Sequence, residues 1–275
     1  MISLTSARIP LSTIADRYRL YELSVQCAEA EVSFIDEGFR RLRGRTPQIL
    51  REDFCGTAAV CCEWVQRRKR NRAFGVDTDP EVLAWGRRNN IARLPEDAAR
   101  RLTLIADDVL TVDAPRPDVV AAMNFSYWLL KDRESLKRYF RRVRASLKDD
   151  GIFFLDAYGG YDSHRVITEE RPVQGDEGDF TYVWEQEQFD PITHRLVCHI
   201  HFRFPDGSSL ERAFSYDWRL WTLPEIRELL GEAGFGRVIV YWQGWNTDGT
   251  ADGNFQPVEQ AEPDAGWICY LTAEK

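Results

Sequence analysis

The sequence predicts an α/β fold built on a doubly wound parallel sheet. Three observations predict it. Short strand-like segments alternate with helical stretches from residue 48 to residue 157. One strand runs through a tight turn of small residues, Gly56-Thr57-Ala58-Ala59, directly into a helix. After an interruption at 159–218 the alternation resumes.

Residues 12–43 read as helical, with Ile14, Leu20, Val25, Val32, Ile35 and Phe39 loosely at helical spacing and Gly44 as the stop. Strands are expected at 48–53, 72–77, 102–106, 117–124 and 151–157, with helices at 58–70, 80–94 and 133–147 between them. Asp79 before Pro80 is an N-cap followed by proline at the first helical position. Thr222-Leu-Pro-Glu225 is a capping box that opens a helix over 223–233, closed by Gly234. Strands at 237–242 and 267–273 complete the pattern. Within the interruption, 180–189, 196–204 and 210–220 read as three antiparallel strands. If the turn 190–194 pairs Phe189 with Arg195, Glu185 faces His199 and Val183 faces His201. Tyr182, Trp184, Cys198, Ile200 and Phe202 then share an apolar face, opposite Glu185, Glu187, His199, His201 and Arg203.

The 275 residues are 44% hydrophobic and 29% charged, ordinary for a globular chain with a sizeable core. A net charge of −8 and a pI near 5.2 disfavour a polyphosphate partner. The basic runs at 67–72 and 141–144 read as solvated helix faces and ends. Six scattered cysteines form no C-x-x-C pair, so reduced thiols in a cytoplasmic protein are expected, with no metal site. The N-terminus lacks the basic start and apolar run of a signal peptide, and no apolar stretch is long enough for a membrane span.

Three acidic strand ends carry the chemistry. Arg51-Glu52-Asp53 ends the first strand, where buried charges are costly unless they have partners. The turn that follows offers close backbone approach at a helix N-terminus. Asp77 tips the second strand, where a carboxylate can hold a ribose diol. Asp107-Asp108-Val109 follows the third, where a carboxylate and the next backbone N–H can read an adenine edge.

These segments resemble motifs of the class I S-adenosylmethionine-dependent methyltransferases, along nearly the whole chain. "EDFCGTA" keeps the acid of the family's first motif as Glu52 and its middle glycine as Gly56, while Phe54 and Ala58 stand where glycines are usual. "DVVAAMNF" and "GIFFLDAYGG" resemble the fourth and fifth strands. The resemblance implies a Rossmann-like seven-stranded sheet ordered 3-2-1-4-5-7-6 with strand seven antiparallel. It implies an N-terminal helical lid over 1–46, a core of 47–158 and 219–275, and an antiparallel insert over the active site at 159–218. S-adenosylmethionine is the implied cofactor. Its expected contacts are Arg51, Glu52, Phe54, Cys55, Gly56, Thr57, Ala58, Asp77, Thr78, Asp108, Val109, Asn124 and Phe125. Arg51 reads equally well as a structural salt bridge to Glu52 or Asp53.

The insert after strand five resembles the small-molecule branch, which includes sugar-amine and glycine N-methyltransferases. Transfer from a sulfonium is an in-line displacement, so alignment can supply most of the acceleration. Candidate acceptor contacts are Tyr18, Tyr21, Tyr127, Trp128, Tyr161, Tyr216 and Trp218, with Tyr158, His201 and His164 as candidate catalytic groups. The expected partner is a small-molecule substrate, with no nucleic acid and no membrane, and a homodimer as an open option. An RNA, tRNA or protein methyltransferase and a non-catalytic S-adenosylmethionine-binding module are the alternatives. Asn124-Phe-Ser-Tyr127 lacks the paired prolines usual in enzymes that methylate base amino groups.

Overall fold

The computed structural model describes residues 9–175, 178–247 and 250–275. Its contacts divide the chain into two units, residues 27–163 with 218–275 and residues 1–26 with 164–217, each described by itself. The segment 1–46, expected as one lid, is therefore divided between them. Its residues 1–8 lie outside the described residues, as do 176–177 of the insert and 248–249 of the core.

The larger unit holds an eight-stranded sheet. In chain order its elements are α3 (Ala28–Arg43), β1 (Ile49–Asp53), α4 (Ala59–Arg67), β2 (Arg72–Asp77), α5 (Pro80–Asn89), α6 (Glu96–Ala99), β3 (Leu102–Ala106), β4 (Val119–Ala122), α7 (Arg133–Ser146) and β5 (Ile152–Gly159). After the smaller unit come α8 (Leu223–Glu232), β10 (Arg237–Trp245), β11 (Ala251–Val258) and β12 (Trp267–Glu274). Along the sheet the order is β3-β2-β1-β4-β5-β12-β10-β11. β1 pairs in parallel with β2 and β4, and β12 runs antiparallel between β5 and β10. The seven expected strands thus take the expected order, and β11 adds an eighth at the edge.

Alternation along each strand assigns its side chains to one of two helical layers. Phe154 of β5 faces α3, where Phe34 lies edge-on at 6.0 Å and Gly38 leaves the ring its space. Phe153 faces the other way, 6.0 Å from Tyr139 and 5.9 Å from Phe140 of α7. Each of these buried rings stabilises the fold by about 3–5 kcal/mol relative to alanine. At the amino end of the sheet, buried Asp118 accepts the Gln48 and Ile49 N–H groups at 3.0 and 2.9 Å, fixing β1 beside β4.

The caps form as their sequences dictate. Asp79 accepts the Glu81 N–H at 2.8 Å, and the Thr222–Glu225 capping box is closed from both sides. The helical span 12–43 is instead broken into α1 (Leu11–Ile14), α2 (Arg17–Ser24) and α3. Asp16 causes the first break, because its carboxylate accepts the Tyr18 and Arg19 N–H groups and starts a new helix there.

The smaller unit contains α1, α2 and a four-stranded antiparallel sheet, β6 (Ile167–Val173), β7 (Phe180–Phe189), β8 (Arg195–Arg203) and β9 (Ser209–Arg219), paired in that order. β9 leaves the unit at its last two residues. Phe189 pairs with Leu196 rather than Arg195, but a bulge between Gln186 and Gln188 restores the expected register. Glu185 therefore faces His199 and Val183 faces His201. Ile200 and Phe202 pack with Leu20, Val173 and Phe180, with Tyr182 and Trp184 against them.

Candidate functional site

Buried charged groups and left-handed residues gather where β1, β2 and β4 end at their carboxyl termini, beside Asp156 of β5. Arg51 and Asp53, two residues apart, share one face of β1, while Glu52 points to the other. Arg51 Nε lies 2.8 Å from Asp53 Oδ1, and Arg51 Nη2 donates to Asp53 Oδ2 at 3.0 Å. The Tyr139 hydroxyl donates to the same Oδ2 at 2.9 Å. Burial pushes the Asp53 carboxyl up, and Arg51 opposes that shift. Arg51 is thus held in a buried ion pair beneath α7.

On the opposite face, Glu52 accepts the Cys61 N–H from the first turn of α4 at 3.1 Å. Burial pushes its carboxyl up to about 7, against the pull of the Cys61 hydrogen bonds. The intervening turn has three left-handed residues, Phe54 at φ 60°, Gly56 at φ 50° and Ala58 at φ 62°. The backbone usual for glycine is kept where glycine is absent. Phe54 and Ala58 hold it at about 1–2 kcal/mol each. Cross-links fasten the turn: the Cys55 N–H donates to Val76 O at 2.9 Å, and the Ala58 N–H to Cys55 O at 2.8 Å. Gly86 lets α5 rest against the Thr57 carbonyl, from which an added Cβ would lie only 2.5 Å.

Asp77 ties the second strand to this turn. Its Oδ2 accepts the Gly56 N–H at 2.9 Å and its Oδ1 the Asp79 N–H at 3.0 Å. Thr78 beside it is exposed. After β3, Asp108 is exposed and Val109 buried. Asp108 Oδ1 accepts the Leu110 N–H at 2.8 Å, and Asp107 accepts the Asp108 N–H at 2.7 Å.

Two further acids belong here that sequence reasoning missed. Asp156 of β5 is 4% exposed and accepts the Asn124 and Phe125 N–H groups at 2.7 and 2.9 Å. Glu31 of α3 is 6% exposed, and its Oε2 has no hydrogen-bond partner among the described residues. Burial, together with the Glu52 and Asp156 charges, pushes Glu31 up to about 8, and burial pushes Asp156 up to about 7. The signal for Asp156 was available, since it is a lone acid in the apolar run "GIFFLDAY".

An aromatic cluster adjoins Asp156. The Phe125 ring lies 4.8 Å from Tyr158 and 5.4 Å from Trp128, and Trp128 stacks on Tyr158 at 4.9 Å. Trp218 meets Phe125 and Trp128 edge-on at 6.2 and 5.9 Å. Tyr127 turns inward, fully buried, and its hydroxyl donates to the Asp156 carbonyl at 2.7 Å. Tyr161 is 63% exposed.

The remaining expected residues belong to the smaller unit. Tyr21 lies 4.9 Å and Tyr18 6.0 Å from Phe214, and Tyr216 6.2 Å from Trp184. His164 meets Phe189 edge-on at 4.7 Å. His201 sits between two carboxylates, with Nε2 3.0 Å from Glu185 and Nδ1 2.5 Å from Glu211. His199 is held similarly by Glu187 and Ser215 at 2.9 and 2.8 Å. No group of metal-ligating side chains occurs among the described residues.

No protein-family model matches the sequence, and no curated protein matches it. Solved structures do match its fold. An S-adenosylmethionine-dependent methyltransferase from Clostridium acetobutylicum aligns at a TM-score of 0.67 and 16% identity, over 93% of this chain and 96% of its own. The chain has the fold of S-adenosylmethionine-dependent methyltransferases. CalS10, an amino pentose methyltransferase from Micromonospora echinaspora, shares that methyltransferase fold at a TM-score of 0.68 and 16% identity, over 95% and 98% of the two chains. DesVI from Streptomyces venezuelae does so at 0.67 and 16%, over 97% and 98%.

Proposed function

We propose that the protein is an S-adenosylmethionine-dependent methyltransferase that transfers a methyl group to a small-molecule acceptor, by N- or O-methylation. The observation that carries this reading is the Asp77–Gly56 link at 2.9 Å, which joins a ribose-reading acid to a left-handed turn at a helix N-terminus. The residues present fit the cofactor. The space a Cβ would take at Gly56 is open for 4 Å. Glu31, Glu52 and Asp156 gather buried acidity suited to a cationic ligand. Asp77 would take the ribose, Asp108 and the Val109 N–H the adenine, and the turn 54–58 with Asn124 and Phe125 the methionyl end.

S-adenosylmethionine supplies an electrophilic methyl group on a sulfonium. The chain's own task is to align an acceptor with it and exclude water, work that positioning can accomplish. The faces of Phe125, Tyr158 and Trp218 favour cationic or amine-bearing groups. An amine acceptor is further supported by two neighbours, CalS10, named an amino pentose methyltransferase (TM-score 0.68, 16% identity), and KedS8, named a sugar N-methyltransferase (TM-score 0.63, 16% identity). Tyr158 is the candidate proton acceptor within the larger unit. His201 is the weaker one, because both of its ring nitrogens already face carboxylates. No described helix is long and apolar enough to cross a membrane. Free thiols on all six cysteines suit a reducing compartment such as the cytoplasm.

The test is methyl transfer from labelled S-adenosylmethionine to a panel of nucleotide-linked amino sugars, hydroxylated sugars, tRNA and peptide. Label on an amino sugar, with S-adenosylhomocysteine released in equal amount, supports the reading. Label on tRNA or peptide alone overturns the acceptor class. Cofactor binding without any transfer supports a binding module instead.

A further inference from the structure

After β4 the chain makes two consecutive left-handed residues, Asn124 and Phe125, both at φ 56° and neither a glycine. Phe125 holds that conformation at about 1–2 kcal/mol, and Asn124, of a type that adopts it more readily, at less. Two in succession persist only where the surroundings over-determine them. What holds them is one carboxylate. Asp156 Oδ2 accepts the Asn124 N–H at 2.7 Å and Oδ1 the Phe125 N–H at 2.9 Å, so successive amides converge on a single anion. The Tyr127 hydroxyl on the Asp156 carbonyl fastens the same turn from its far side.

Sheet register puts this turn beside the cofactor candidates. β4 lies between β1 and β5, with Ala121 opposite Glu52 on one side and Ala122 opposite Leu155 on the other. The turn at 123–125 therefore leaves the sheet next to the turn at 54–58.

We propose that Asp156 is a positioning residue for the cofactor pocket, whose carboxylate grips the Asn124 and Phe125 amides and so sets the turn that bounds the methionyl end. This rests on the cofactor reading above. The grip requires the ionised form. A protonated acid, like the amide of Asn, keeps one acceptor but turns a donor toward the other N–H. Burial pushes Asp156 up to about 7, so the grip loosens as pH falls through neutrality. The titratable groups facing it are Glu31 of α3, Tyr127 of the turn, and Cys269 and Tyr270 of β12.

The experiment follows the backbone amides of Asn124 and Phe125 by NMR in the full-length protein, between about pH 5.5 and 8.5. Both resonances are expected downfield at high pH and to move upfield together around about pH 7. Saturating S-adenosylhomocysteine is expected to displace that midpoint, since one turn conformation serves both carboxylate and ligand. In Asp156→Asn the titration disappears, and the Kd for S-adenosylhomocysteine rises about tenfold or more at high pH. Amides that do not titrate, or a midpoint indifferent to S-adenosylhomocysteine, overturn the proposal even if the variant fails to fold. A folded Asp156→Asn within about threefold of the wild-type Kd overturns it while leaving the cofactor reading standing. Wild-type protein that binds no S-adenosylhomocysteine overturns both.

Discussion

Asp77 accepts the Gly56 N–H at 2.9 Å, so the acid at the end of β2 shapes the turn at the end of β1. In the proposed cofactor reading, ligand recognition and turn geometry share this one carboxylate. Asp77→Ala is expected to weaken S-adenosylmethionine binding by about 10- to 100-fold, read by calorimetry, because it removes charge-assisted hydrogen bonds. It should also lower stability by about 1–2 kcal/mol in urea, through the freed Gly56 and Asp79 amides.

Ala58 sits at φ 62° with its methyl group fully buried. Ala58→Gly relieves about 1–2 kcal/mol of strain and forfeits about 1 kcal/mol of burial, leaving the fold unchanged or slightly more stable. Ala58→Val places a β-branched residue in the left-handed region and should destabilise by more than about 2 kcal/mol. Chemical denaturation of the pair separates backbone strain from side-chain packing.

The Arg51–Asp53 pair is buried on both sides, with Arg51 2% exposed and Asp53 1%. Removing one partner leaves an uncompensated buried charge, so Arg51→Met is expected to lose about 3–5 kcal/mol. The double variant Arg51→Met/Asp53→Leu should recover most of that loss. S-adenosylmethionine affinity of the double variant should stay within about threefold of wild type, measured by calorimetry, if Arg51 serves the fold.

Buried acids make the free protein sensitive to alkali. Glu31, Glu52 and Asp156 stand at about 8, 7 and 7, above their unfolded values of 4.5, 4.5 and 3.8. A raised folded value means that stability is full below the unfolded value and is lost as pH rises through the folded one. Melting temperature should therefore fall between about pH 5 and pH 8.5. Glu31→Gln should be more stable than wild type at pH 8, by an amount on the order of 1–3 kcal/mol. A cationic ligand should reverse part of the loss and release protons on binding, seen as a dependence of calorimetric heat on buffer ionisation enthalpy.

Much of the site was legible because charges at strand ends are rare. Glu52, Asp77 and the small turn between them announce themselves without any knowledge of packing. Asp156 carries the same signature but lies deep in an apolar run, and its role depends on which neighbouring strand presents its amides. Glu31 required knowing which face of α3 meets the sheet. Two strands were illegible for a different reason. β6 reads "ITEERPV" and β11 "ADGNFQPV", rich in charge, proline and glycine, and both are edge strands paired on one side only. The bulge near Gln186 was equally hidden, yet it returned the histidines to the register that simple pairing predicts.

Calorimetric titration of S-adenosylmethionine into the wild-type protein, with Asp77→Ala alongside, tests the cofactor site most directly. Saturable one-to-one binding with a Kd of about 1–100 µM, weakened at least tenfold in the variant, is the expected result. No binding to the wild type, or equal binding to both proteins, contradicts it.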